Sequence, residues 1–273
     1  MPAILLYAAA SLLYAALAFH FWRTRWRGRS APRLAPLERA AILAPFALHT
    51  WLVYEILFAQ PELRFGFGQA LSLMLWLAVL LYWFESRFLP LEGMQAPILA
   101  LAAVCAPLPA LFPGLASPPY THSTEFRLHL ALAMIAYGMF TIAALHALLM
   151  TLMERRLHGG ALAGPLAVLP PLLTMEQLLF RVILAGFVFL TLTLLTGIVF
   201  SETLFGRAMK FDHKTVFAVV SWFIFAALLG GRHFYGWRGR TALRWTLAGF
   251  VALLLAYVGS RFVLEVILRR GLS

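Results

Sequence analysis

Residues 178–201 read LLFRVILAGFVFLTLTLLTGIVFS, and after Arg181 no charged side chain appears until Glu202. A helix rises about 1.5 Å per residue, so about 20 such residues match the roughly 30 Å hydrocarbon core of a bilayer. Apolar residues follow one another without the period-two alternation of a membrane β-strand. The stretch therefore reads as a spanning α-helix. The same test carried outward finds seven more, near residues 3–22, 39–60, 67–84, 94–113, 128–152, 215–231 and 243–264. The expected fold is all-α: a polytopic membrane protein with about eight transmembrane helices, forming one integral membrane domain over residues 1–273.

Composition agrees with this reading. The chain is 62% apolar and 12% charged with mean hydropathy +0.85, whereas soluble domains carry about a quarter charged residues. In a soluble protein the net charge of +11 would point to a polyanion. Here it sets topology, and no nucleic-acid partner is expected. No basic residue precedes the first apolar run, and Arg23, Arg25, Arg27, Arg29 and Arg33 follow it, so it reads as a retained span and not a cleaved signal peptide. Placing that cluster inside puts 14 basic residues in inner segments and eight in outer ones, the bias expected of cytoplasmic loops. The expected location is the inner (plasma) membrane of a bacterium, with both termini periplasmic.

Two segments do not read as spans. Residues 158–177 hold Pro165, Pro170 and Pro171, too many helix breaks for a crossing. Thr174 to Gln177 then reads as a capping box opening the sixth span, with Glu176 in its first turn. Gly114 to Arg127 is an outer loop containing His122. The single cysteine, Cys105, excludes a disulfide framework, a CxxC redox pair and a CxxCH haem attachment.

Ionisable groups within spans are costly, so each is a functional candidate. His49 lies near mid-bilayer in the second span, with Glu55 six residues on. His129 lies about a turn inside the outer end of the fifth span, and His146 lies 17 residues deeper. His213 opens the seventh span beside Asp212 and Lys214. Haem iron takes donors on opposite ring faces, which imidazoles at the outer ends of two helices can supply. His129 and His213 are the candidate pair, and His49 sits about 15 Å deeper by helical rise. Asp212 is a candidate to orient an imidazole, and Lys214, Lys210 and Arg207 are candidate propionate partners. The competing structural reading is that Asp212 caps the seventh span. His20, His158 and His233 lie near the inner surface. No zinc-hydrolase spacing such as His-x-x-Glu-His occurs. Trp22, Trp26, Trp237 and Trp245 read as belt residues. Gly186 and Gly197, with Thr191, Thr193 and Thr196, read as a close-packing face.

Leu128-His129 through Tyr137-Gly138, then Phe180-Arg181, Gly186-Phe187, Phe189-Leu190-Thr191 and Gly197, resemble the corresponding helices of the cytochrome c assembly proteins of the CcsA and CcmC type. Ser201-Glu202-Thr203 and Phe211-Asp212-His213-Lys214-Thr215 stand where that family has further motifs. The similarity is specific over residues 128–232 and looser outside, within a family-like region of about 39–265. Size and the tail Gly236 to Arg240 are most similar to the YpjD-like inner-membrane subgroup. The resemblance implies haem handling at the outer face, with haem b as the expected cofactor and other cytochrome c maturation proteins as expected partners beside membrane lipid. Two departures stand out: Gly206–Asp212 contains no tryptophan where the family has a tryptophan-rich loop, and Gly230-Gly231 replaces a histidine found in several relatives. Three functions follow as expectations. They are haem handling in cytochrome c assembly or a related tetrapyrrole process, a membrane regulator or scaffold without haem ligation, and a small-solute or cation transporter using His49 and Glu55. No catalytic constellation is legible, so an enzymatic role is left open.

Overall fold

Apolar runs separated by proline, glycine and arginine clusters wind into helices, and no β-strand forms among the described residues. These are 2–27, 36–59, 63–88, 93–114, 123–158, 171–205 and 212–268, without the side chains of 2, 3, 27, 156–158 and 201–205. In the computed structural model the order is α1 (Pro2–Phe21, continued as a π-turn through Trp22–Arg27), α2 (Pro36–Tyr54, then a π-turn at Glu55–Ala59), α3 (Phe67–Glu85), α4 (Gln95–Cys105), α5 (Leu108–Leu111), α6 (Thr124–His158), α7 (Leu172–Phe205), α8 (His213–Tyr235) and α9 (Arg240–Leu254, carried on to Ile267). Seven of these stretches are long and apolar enough to cross a membrane.

The run expected as one span near 94–113 differs. Gln95–Leu111 is a shorter apolar helix, broken between α4 and α5 at Ala106 and Pro107, because proline has no N–H for the helical ladder. The broken pair still covers the depth of α3. At one end Trp26 Nε1 donates to the Gly93 carbonyl (2.8 Å); at the other Gln69 Nε2 donates to that of Phe112 (3.1 Å). Eight antiparallel passages result.

Two helices form the centre. Their spanning windows are 61% (α3) and 56% (α6) buried, against 22–28% for the others. α6 touches α3, α7 and α9. Gly138 lets α3 close in: a Cβ there would stand 2.8 Å from Leu77 Cβ. Phe140 stacks on Phe225 of α8 with centroids 3.9 Å apart, and the Tyr137 hydroxyl donates to the Leu253 carbonyl of α9 (2.6 Å). The Gly and Thr face of α7 does pack closely, since a Cβ at Gly186 would meet Phe140 and Met139 at 3.2–3.3 Å.

The bundle's two ends are fastened differently. At the end that the arginine pattern predicts to face the cytoplasm, termed inner, Arg232 donates to Glu176 (2.7 Å), whose other oxygen accepts from Gly239 N (3.4 Å). Glu176 thus clamps the α8–α9 loop. The expected capping box is not formed, because Pro171 O receives Thr174 N and Met175 N and starts α7 at Leu172. Arg25 pairs with Glu38, and Arg240 with Glu154 at 3.4 Å. At the outer end, the Tyr257 hydroxyl donates to Phe65 O (3.1 Å), and Glu265 lies against Gly66. The start of α1 and the end of α9 lie at this same end.

Candidate functional site

His129 sits in the first turns of α6 and is half-buried against α7. Its Nδ1 lies 3.0 Å from Thr196 Oγ1. The Thr196 hydroxyl already directs its one proton to the carbonyls of Leu192 (2.8 Å) and Thr193 (3.0 Å). With the proton so directed, the Thr196 oxygen accepts from the ring in the tautomer that carries its proton on Nδ1. The Thr193 carbonyl also stands within reach of the imidazole. In that tautomer Nε2 carries a lone pair, which is the donor that iron requires. Gly197 makes the approach possible, since a Cβ there would touch the ring at 3.4 Å. Sequence reading had given Thr196 only a packing role. Nothing in it says that residues 129 and 196 are neighbours, which is a matter of how α6 and α7 register.

The stacked Phe140–Phe225 pair calibrates the rest of the outer end. α6 and α8 run parallel, both antiparallel to α7, as the contacts of His129 with Thr196 and of Trp222 with Thr191 (2.9 Å) require. His129 precedes Phe140 by 11 residues and His213 precedes Phe225 by 12, so both lie about 17 Å above the stack. Depth agrees, but facing does not. At about 100° per residue His129 leaves α6 within roughly 20° of Phe140, whereas His213 leaves α8 about 120° round from Phe225. Lys214 is the residue turned to the Phe225 side. Its Nζ lies 5.9 Å over the Tyr257 ring, and Arg261 faces the same ring at 5.7 Å. The antiparallel Tyr137–Leu253 bond puts Arg261 at the depth of His129 as well.

His213 itself is exposed as the first residue of α8. Asp212 is exposed too and caps that helix, its Oδ1 accepting from Thr215 N at 3.0 Å. Such a cap contributes about 1 kcal/mol. Arg207, Lys210 and His122 lie outside the described residues, as do the side chains of His158 and of Ser201 to Thr203.

The deeper histidines divide. His49 is fully buried and satisfied, with Nε2 bonded to Ser72 Oγ (2.9 Å) and Nδ1 to the Tyr14 hydroxyl (3.4 Å). This is the arrangement that a neutral core imidazole needs. Glu55, six residues on, leaves α2 about 120° away and faces a cavity near the outer end, so the two do not form a relay. His146 is fully buried with neither ring nitrogen bonded. His20 pairs with Glu38 at 3.0 Å, and His233 is exposed. Among the described residues, no three of His, Cys, Asp and Glu converge to hold a free metal ion.

Known proteins share parts of this chain. It is similar to the inner membrane protein YpjD of Escherichia coli (strain K12), 39% identical over 139 residues, which is 51% of this chain and 52% of that protein. It is also similar to an uncharacterized 28.8 kDa protein of Azospirillum brasilense, 34% identical over 143 residues, or 52% of each. Over 89 residues it is 37% identical to the cytochrome c biogenesis protein CcsA of Prochlorococcus marinus (strain MIT 9515), covering 33% of this chain and 28% of that one. The chain thus spans about half the length of these first two relatives and less of CcsA. The model of the family described as Cytochrome C assembly protein matches residues 34–268, and on a match over most of its length the chain belongs to that family.

Proposed function

We propose that this chain is a multi-pass inner-membrane protein that handles haem at the outer end of its bundle, in cytochrome c assembly or a related tetrapyrrole process. The observation carrying the reading is His129, half-buried at the outer end of α6 with Nδ1 3.0 Å from Thr196 Oγ1, an arrangement whose Nδ1–H tautomer offers Nε2 as a lone-pair donor. Lys214 and Arg261 stand at the same depth, suited to carboxylates such as haem propionates. Haem b, bound without covalent attachment, is the form that a chain lacking CxxCH would take. The residues present fit haem through one axial imidazole and a cationic rim for its propionates. When bound, haem would supply an iron centre whose ligation reports directly in visible absorption. His129 would hold the iron, Thr196 would keep the ring in its donor tautomer, and the two cations would orient the ring edge. His213 is the second donor in this proposal and must swing its side chain round the first turn of α8 to serve. Partners of the kind implied by the CcsA relative, other cytochrome c maturation proteins, belong to the same reading.

Purification in detergent from haem-replete cells tests it. The expected result is a Soret band with low-spin features, lost in His129→Ala at unchanged protein yield. In His213→Ala, conversion to a high-spin spectrum marks ligation. An unchanged low-spin spectrum leaves His213 as a helix-start residue and shows that another donor faces His129 across the iron. A colourless wild-type preparation overturns the proposal in favour of a scaffold without haem ligation, the reading supported by the absence of tryptophan from residues 206–212.

A further inference from the structure

A second feature of the outer end lies away from His129, on the far side of α3. A cavity of about 350 Å³ opens between α1, α2 and the α3–α5 contact, lined among others by Tyr7, Trp51, Glu55, Arg64 and Gln69. This volume is in the range of small-ligand sites. Its floor is fixed, because Gln69 is fully engaged between Gly66 N (3.0 Å) and Phe112 O (3.1 Å). Its two charges are not. Among the described residues, neither Glu55 nor Arg64 has an ion-pair partner, though they carry opposite signs on one cavity wall. Tyr7 lies within electrostatic reach of Glu55. Glu55 also begins the π-turn that ends α2, a local widening often found where a helix serves a site.

A pair of separated, opposite charges at a membrane surface selects a ligand carrying both. We propose that this cavity binds the headgroup of a zwitterionic phospholipid with a primary ammonium. The phosphate would meet Arg64, the ammonium Glu55, and Trp51 and Tyr7 would flank the headgroup. Two observations favour a lipid over a soluble zwitterion. The cavity wall is itself part of the lipid-facing surface, Trp51 being 54% exposed, and the α1 face that carries the lining residue Leu6 (36% exposed) continues down the helix to Leu13 (43%). An acyl chain can therefore leave the cavity directly along the helix. The site stands independently of haem.

The test is native mass spectrometry of the full chain released from nanodiscs of mixed phosphatidylethanolamine and phosphatidylglycerol. The wild type is expected to retain one phosphatidylethanolamine per chain, preferred about tenfold, the size of one charge-assisted contact. Glu55→Gln should bring the preference to parity, and Arg64→Gln should lower retention of both lipids. Equal retention by the wild type overturns the proposal whatever the variants do, as does a preference that Glu55→Gln leaves intact. Thermal stabilisation by free phosphoethanolamine with no lipid preference reassigns the ligand to a soluble zwitterion and overturns the lipid assignment.

Discussion

A hydroxyl has one proton, and the direction in which Thr196 sends it decides what His129 is. With that proton on the Leu192 carbonyl, the imidazole must donate through Nδ1. Thr196→Val keeps the shape and removes the acceptor. Outer-shell partners of this kind affect metal affinity by about 10–100-fold, so haem retention should fall by that order while yield and thermal stability stay near wild type. Haem titration of the purified variant, with its absorption maximum, measures this; an unaltered affinity would mean that Thr196 only packs. His49 provides the contrast. Its nitrogens are bonded to Ser72 and Tyr14, so His49→Gln should leave haem content unchanged and lower only stability, by about 1–3 kcal/mol if either hydroxyl is left unpaired. That both residues carry imidazole was legible in the sequence. Which of them has a nitrogen to offer was not, because the deciding partners lie 67, 35 and 23 positions away.

At the scale of elements, Gly231 and Gly236 set the inner end of α8. Gly236 takes φ +65°, the left-handed conformation that ends a helix with little strain only in glycine. The chain then folds back so that Trp237 N reaches Gly231 O (3.1 Å) and the indole lies over Gly231, where a Cβ would run into it. Trp237 also packs on Trp245 at 5.2 Å. It is thus a folded-back closure as much as a belt residue. Gly231→Ala should displace the indole and lower the thermal midpoint, at about 1–3 kcal/mol for an overpacked contact. Gly230→Ala, with nothing within 4 Å of its Cβ, should not. A fluorescence-monitored melt of the two variants separates them, and equal midpoints would refute the packing assignment. The helix content of this region was plain from its apolar run, whereas the break between α4 and α5 turned on Pro107, which the apolar count alone did not weigh.

For the whole molecule, the arginine distribution predicts a cytoplasmic α8–α9 loop, since Arg232, Arg238, Arg240 and Arg244 share one short connection. The structure ties that loop to the start of α7 through Glu176 and Arg232 and puts the start of α1 and the end of α9 at the opposite end of the bundle. A periplasm-active reporter fused after Arg240 should be silent, and one fused at Ser273 active; the reversed pair would invert the whole arrangement, and with it the side on which His129 stands.

What the sequence determined by itself was the solvent and the repertoire. Long uncharged runs must be helices in a bilayer, since every backbone N–H and C=O has to be satisfied within its own segment, and the count and order of crossings follow from composition. It also named the histidines that cost most to bury. What only the tertiary structure decided was which helices are neighbours and how each is rotated. Spans offer similar apolar faces, so pairing rests on local fits such as Gly138 against Leu77 and Gly197 against His129. Those fits turn His129 onto Thr196, turn Lys214 and not His213 toward α6, satisfy His49, and leave Glu55 and Arg64 facing one cavity. None of these follows from sequence spacing, because a rotation of about 100° per residue separates side chains that are adjacent in the chain.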